Sequence, residues 1–327
     1  MEHMNIHSVS RPFRSRLKGG NHYLRLQAYS QLKRLTRDHF PQEPLKSALS
    51  QFAYASAKSY FLTKFLSGKD KAFRDLCECL SDLYTYDEDN TMLDFNGAVV
   101  PKSALVDNMG IFEYEFFDIV FPYLVNSPKF CDCFYKEGPY EIERVCIVSE
   151  GDVIIDCGAN MGFFSAVASS KGATVYAFEP FEHVIENYLS KIAISNPNIN
   201  ICKLALSDKE ETLSFVQNFE RIDCGRLLKS PFAKSGQDII TVQAIPLDTF
   251  VERNNISQVD FIKADIEGAE RYLLMGAKQV LEEFSPKISI CTYHLPDDPQ
   301  VLRQLILDAN PNYIIEERFK KMYAYVL

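Results

Sequence analysis

The chain has 327 residues, 46% of them apolar, which is enough to bury a sizeable core and unlike a disordered composition. A formal charge of −9 argues against general binding to a phosphate backbone, so no nucleic-acid partner is expected. No apolar run approaches the ~20 residues of a membrane helix. IVFPYLV at 119–125 is short and contains Pro122, and the N-terminus lacks an apolar signal core, so a cytoplasmic protein without a transmembrane segment is expected.

Charge is unevenly spread from the start of the chain. Residues 1–40 carry Arg11, Arg14, Arg16, Lys18, Arg25, Lys33, Arg34 and Arg37 against Glu2 and Asp38, a net of +6 that leaves −15 for the rest. Such a segment is either a solvated helical face or a dock for an anionic partner. From about Leu24 to Tyr86 apolar residues recur three and four apart, with FAYASAKSYFLTKFL (52–66) ended by Gly68 and KAFRDLCECLSDLY (71–84) entered from Asp70. TMLDFNGAVVP then places Asn96-Gly97 between short apolar runs, a hairpin signal, and Asn108–Val125 continues as an aromatic-rich helical segment.

NSPKF and EGPYE mark a boundary, which divides the chain into a mainly helical region over 1–135 and a second domain over 136–327. The first is expected to be accessory, contributing acceptor contacts or the contact of a homodimer. Nine cysteines, with C-x-C pairs at Cys77/Cys79 and Cys131/Cys133 but no C-x-x-C, are read as reduced, mostly buried thiols.

Beyond Tyr140 strands and helices alternate. Strands are predicted at VIIDC (153–157), TVYAFE (174–179), NICKLAL (200–206), VDFIKAD (259–265), KISICTYH (287–294), YIIEE (313–317) and MYAYVL (322–327), with helices after the first, second, fourth and fifth. The fold class is therefore α/β, a doubly wound and mostly parallel sheet. LSFVQ and ITVQAI form a further strand pair around a long polar loop.

The stretch GDVIIDCGANMG (151–162) is a buried strand, a glycine turn and a helix start, a nucleotide-binding device in open α/β sheets. A dinucleotide fingerprint wants glycines where Asn160 and Phe163 stand, which weakens the case for a nicotinamide-dependent oxidoreductase. S-adenosylmethionine has no phosphates to cradle and suits D-x-G-A-N-x-G better. Asp156 can attract its ammonium directly or through water, and the backbone from Gly158 through Ala159 and Asn160 to Gly162 can pass the methionyl portion. Glu179, followed by Pro180 at the end of the second strand, stands about 20 residues on, where a carboxylate accepts both ribose hydroxyls. Ala205-Leu206-Ser207-Asp208 offers apolar cover for a purine and a carboxylate for its amino group.

VIIDCGANMGFFS, VYAFEP, LALSD, PLDTF, FIKADIEGAE and the late YH resemble, in order, the FkbM family of S-adenosylmethionine-dependent methyltransferases, over roughly residues 138–327. The resemblance implies a Rossmann-like class I methyltransferase sheet and transfer to a hydroxyl oxygen, with a sugar, glycoconjugate or secondary metabolite as the small-molecule or glycan acceptor. Chemistry is expected at Lys263 and Asp265 on the fourth strand, at Glu267, Gly268 and Glu270 opening the next helix, and at Tyr293 and His294 on the fifth strand. His294 is the expected base because imidazole titrates near neutrality. Asp265 would position the methionyl ammonium or the acceptor, and Glu267 would orient the acceptor or His294. A divalent cation on Asp265, Glu267 and His294 is the lesser alternative, as is a methyltransferase-like binding module without activity.

Overall fold

The computed structural model describes residues 84–86, 88, 89, 91–103, 116–120, 123, 137–217, 225–227 and 238–327. The helices expected at 52–66 and over nearly all of 71–84, the basic segment 1–40, the two C-x-C pairs and most of the long loop lie outside these residues.

Strands β1 (Thr85–Tyr86), β2 (Met92–Phe95) and β3 (Ala98–Pro101) form a three-stranded antiparallel sheet. Asn96 and Gly97 both take positive φ, 55° and 94°, as the predicted two-residue hairpin turn requires. Leu93, Phe95, Ala98 and Val100 are buried in the same core as one face of the large sheet described next.

That sheet has seven strands: β4 (Val153–Cys157), β5 (Thr174–Phe178), β6 (Ile199–Cys202), β11 (Phe261–Ala264), β12 (Lys287–Cys291), β13 (Ile314–Arg318) and β14 (Lys321–Tyr325). Their spatial order is β13-β14-β12-β11-β4-β5-β6, and β14 runs antiparallel to both its neighbours while the other pairs are parallel. Near-continuous apolar strands are what burial on both faces demands. Ile154, Val175, Phe261 and Tyr323 join one core, with Ala166 and Val167 of α1 (Phe163–Ser170) and Leu189 and Ile192 of the helical run Glu182–Ser195. Ile155, Ile262, Ile288 and Met322 alternate onto the other face. There they meet α2 (Leu247–Arg253), α3 (Glu270–Met275), α4 (Lys278–Glu283) and α5 (Asp298–Ala309). Two covered faces make the sheet doubly wound, as the alternation of strands and helices predicts.

A second sheet has the order β7-β10-β8-β9, with β7 at Ala205–Leu206, β8 at Glu211–Gln217, β9 at Gly225–Leu227 and β10 at Asp238–Ile245. The expected pair is here, β8 antiparallel to β10. The single strand predicted at 200–206 is instead two. Leu204 N–H turns back to the Cys202 carbonyl at 2.8 Å, and β7 then pairs with β10, leaving the large sheet. Cys146, Cys157, Cys202 and Cys291 are free thiols, three of them buried. Among the described residues no helix is long and apolar enough to cross a membrane.

Candidate active site

Strand order reverses between β4 and β11, and a crevice beyond the carboxyl ends at such a switch point is where ligands bind in open α/β sheets. The residues following β4, β5, β11 and β12 therefore converge on one rim. Gly158 and Ala159 both donate to the Phe178 carbonyl, at 3.0 and 2.9 Å, which folds the turn after β4 against the end of β5. Gly158, Asn160 and Gly162 have φ of 76°, 50° and 93°. Asn160 thus occupies a left-handed position that asparagine tolerates, where a dinucleotide turn uses glycine.

Glu179 follows β5 and is 4% exposed. Its Oε2 accepts from Asn160 N–H at 3.0 Å and its Oε1 from Phe181 N–H at 2.9 Å, so the carboxylate clasps the glycine turn. Burial is the largest influence on this group and lifts its pKa to about 7, against the two backbone donors. Pro180, half-buried, lies between the acid and the second donor.

Asp156 is fully buried, and strand pairing sets it opposite Lys263. Lys263 Nζ lies 3.0 Å from Asp156 Oδ1, and the Ser165 hydroxyl donates to Oδ2 at 2.6 Å. The same ammonium donates to the Gly158 carbonyl at 2.6 Å. Asp156 is thus paired within the chain by Lys263 and Ser165, and Lys263, 4% exposed, is turned onto the glycine turn. The physical cause is the low-dielectric strand layer, where two opposite charges in register satisfy each other.

Asp265 lies just beyond β11. Its Oδ2 accepts from the Tyr140 hydroxyl at 2.6 Å, while Oδ1 has only long contacts, 3.4 Å from the Tyr293 hydroxyl and 3.5 Å from His294 Nε2. Burial pushes its pKa up, but the charges of His294, Lys263 and Lys321 and the Tyr140 hydroxyl outweigh burial and hold it below the usual range. Burial and nearby acids, Asp265 first, push the Tyr293 phenol far up, so it stays protonated.

The helix expected to open at Glu267 starts at Glu270. Glu267 and Gly268 form a left-handed turn, with φ of 56° and 98°, which brings Glu270 back under it. Glu270, fully buried, accepts from Ile266 N–H at 2.9 Å and Gly268 N–H at 3.0 Å, and meets His294 Nδ1 at 2.9 Å. Orienting His294, expected of Glu267, thus falls to Glu270. Burial alone would lower the imidazole, but the Glu270 hydrogen bond and the charges of Glu270, Asp265 and Glu267 raise it to about 9. A value raised to about 9 favours the charged imidazolium at neutral pH.

One oxygen or nitrogen from each of Asp265, Glu270 and His294 lies within 4.8 Å of the others, so Glu270 replaces Glu267 in the conceivable cation set. Glu270 Oε1 meets both Ile266 N–H and His294 Nδ1, while Oε2 accepts from Gly268 N–H. The stretch with Ser207 and Asp208 leaves the rim beside Glu179, whose N–H donates to the Cys202 carbonyl at 3.1 Å. By Ser207 it has joined the second sheet: Ser207 N–H donates to the Ile245 carbonyl at 3.1 Å, and its hydroxyl lies 3.2 Å from Asp208 Oδ1.

Sequence reasoning missed Tyr140, Ser165, Lys321 and the role of Glu270. Only the acid repeat D-x-E-G-A-E hinted at the last, because Gly268 signals a turn that separates the two glutamates.

Residues 156–323, more than half of the chain, match the methyltransferase FkbM domain. The hexuronic acid methyltransferase AglP of Haloferax volcanii is 26% identical over 180 residues, covering 53% of this chain and 69% of that protein. The crystal structure of the methyltransferase FkbM from Methylobacillus flagellatus is 19% identical with a TM-score of 0.43; the alignment covers 71% of this chain and spans 62% of that one. Aeropyrum pernix fibrillarin, crystallised with natively bound S-adenosyl-L-methionine, is 14% identical with a TM-score of 0.34, over 55% of this chain and 68% of its own. By the extent of the family match, the protein belongs to the FkbM domain family and is a methyltransferase.

Proposed function

We propose that this methyltransferase takes its methyl group from S-adenosylmethionine and transfers it to a hydroxyl of a sugar, with a hexuronic acid unit the first candidate. The observation that carries the reading is Glu179, a carboxylate clasped at the rim beside a sparse glycine turn, where the ribose diol of an adenosyl group needs an acceptor. The donor set fits such a ligand: the Glu179 carboxylate for the diol and a close-running backbone for the methionyl chain. Fibrillarin's bound ligand and the sugar acid in the name of the Haloferax relative support the two halves of the proposal.

S-adenosylmethionine, once bound, would supply an electrophilic methyl carbon to the acceptor oxygen and would leave as the neutral thioether. The chain's own contribution is placement, which can account for ~7–11 kcal/mol of a barrier. Lys263 pins the Gly158 carbonyl and neutralises Asp156, so the turn keeps its shape as a ligand enters. Asp265 presents Oδ1 to the acceptor hydroxyl and takes up its proton as the new C–O bond forms. His294, held charged by Glu270, keeps Asp265 ionised for that task. Residues 136–327 form the catalytic domain in this reading, and the segment with Ser207 and Asp208 flanks the adenine side.

Transfer of labelled methyl from S-adenosylmethionine to a methyl glucuronoside tests it. Label that survives mild alkali as an ether is expected from the wild type and lost in Asp265→Asn. Alkali-labile label would mark the carboxylate as acceptor and overturn the hydroxyl assignment, and no transfer to any hexuronic acid glycoside would overturn the substrate.

A further inference from the structure

We propose that Tyr140, which precedes the family-matched range, is a positioning residue for methyl transfer: its hydroxyl fixes one oxygen of Asp265 and leaves the other to face the acceptor. The inference rests on the role given to Asp265 above. Three observations carry it.

The first is the asymmetry around Asp265. Oδ2 receives a 2.6 Å hydrogen bond from Tyr140, whereas Oδ1 has nothing nearer than 3.4 Å among its described polar contacts. A short O–H···O⁻ bond to a carboxylate is among the stronger hydrogen bonds available to a side chain, and holding one oxygen sets the direction of the second. The second is the setting of the phenol. Its ring centroid lies 4.3 Å from Lys321 Nζ and 5.1 Å from Lys263 Nζ, and 5.6 Å from the centroid of the Phe164 ring, which it meets in a T-shaped contact. Two ammonium groups beside the ring strengthen the hydroxyl as a donor and fix the ring itself.

The third is how firmly its segment is fastened. Lys321 Nζ donates to the Gly138 carbonyl at 2.7 Å, the Tyr323 hydroxyl to the Pro139 carbonyl at 2.5 Å, and Lys320 N–H to the Glu137 carbonyl at 3.1 Å. Gly138, at φ 99°, lies so close to Phe319 that a Cβ there would meet it at 2.5 Å. The β13–β14 hairpin thus clamps residues 137–140 against the rim. A residue 125 positions before Asp265 is delivered to it by the last hairpin of the chain. Tyr140 is 8% exposed, and its hydroxyl is used on a carboxylate the site needs.

Tyr140→Phe in the full chain, compared with wild type, tests the proposal through two readouts. In ¹³C NMR of carboxyl-labelled aspartates, with Asp265 assigned from Asp265→Asn, the Asp265 midpoint is expected to move up by about half a pH unit or more when the donor is lost. In transfer to the methyl glucuronoside, kcat is expected to fall about 10- to 100-fold, while S-adenosylhomocysteine affinity, read by calorimetry, stays within about twofold. An unmoved Asp265 titration overturns the proposal, and so does a moved titration with wild-type kcat. If the wild type binds S-adenosylhomocysteine but methylates no hexuronic acid, the substrate reading fails and the titration alone decides the place of Tyr140.

Discussion

His294 sits between two carboxylates, and that neighbourhood decides its charge. Its value of about 9 lies above the ordinary 6.5, so the folded state binds the proton more tightly than the unfolded chain does. The pairing contributes fully below about pH 6.5 and is lost as pH rises through 9, up to about 3 kcal/mol over the interval. The urea midpoint of wild type should therefore exceed that of His294→Gln by a clear margin at pH 6, and the gap should close by pH 9.5. A gap that holds constant over that range would mean the imidazole is not paired as described. Glu179 could be found from sequence because an acid about 20 residues past a glycine turn has a physical reason to be there. That Asp156 and Lys263 would neutralise each other could not, since it depends on which strands become neighbours. Sequence does not separate the roles of Glu267 and Glu270 for a similar reason, as one left-handed turn exchanges which acid points inward.

Among the elements, the turn after β4 is the tightest contact of the rim. A Cβ on Gly158 would stand 2.1 Å from the Asp265 carbonyl, and φ there is 76°. Strain and overpacking act together, so Gly158→Ala should lower stability by about 3 kcal/mol or more, measured as a drop in urea midpoint, and should abolish S-adenosylhomocysteine binding. Near wild-type stability would show that β4 and β11 end farther apart than described. Strand β4, helix α1 and the β2–β3 hairpin were legible because each has a local cause: a β-branched run, an apolar series at helical spacing, and Asn96-Gly97 between short strands. The split of the third predicted strand was not, because a period of two does not reveal which sheet a strand joins. The clamp of the last hairpin on residues 137–140 was equally hidden, since no local pattern announces a contact across 183 residues.

At the scale of the molecule, the strand order of the large sheet places a switch point between β4 and β11, and β4, β5, β11 and β12 all deliver residues to its rim. The fold class was therefore readable from alternating elements and an ordered set of motifs, whereas the protonation of the site was not. The central claim is that this rim receives an adenosyl-methionyl ligand rather than a dinucleotide. Calorimetry of the full chain with S-adenosylhomocysteine and, separately, with NAD tests it most directly. The account predicts saturable binding of one S-adenosylhomocysteine per chain, weakened at least tenfold in Glu179→Ala, and no heat with NAD. Saturable NAD binding with none of S-adenosylhomocysteine would contradict it.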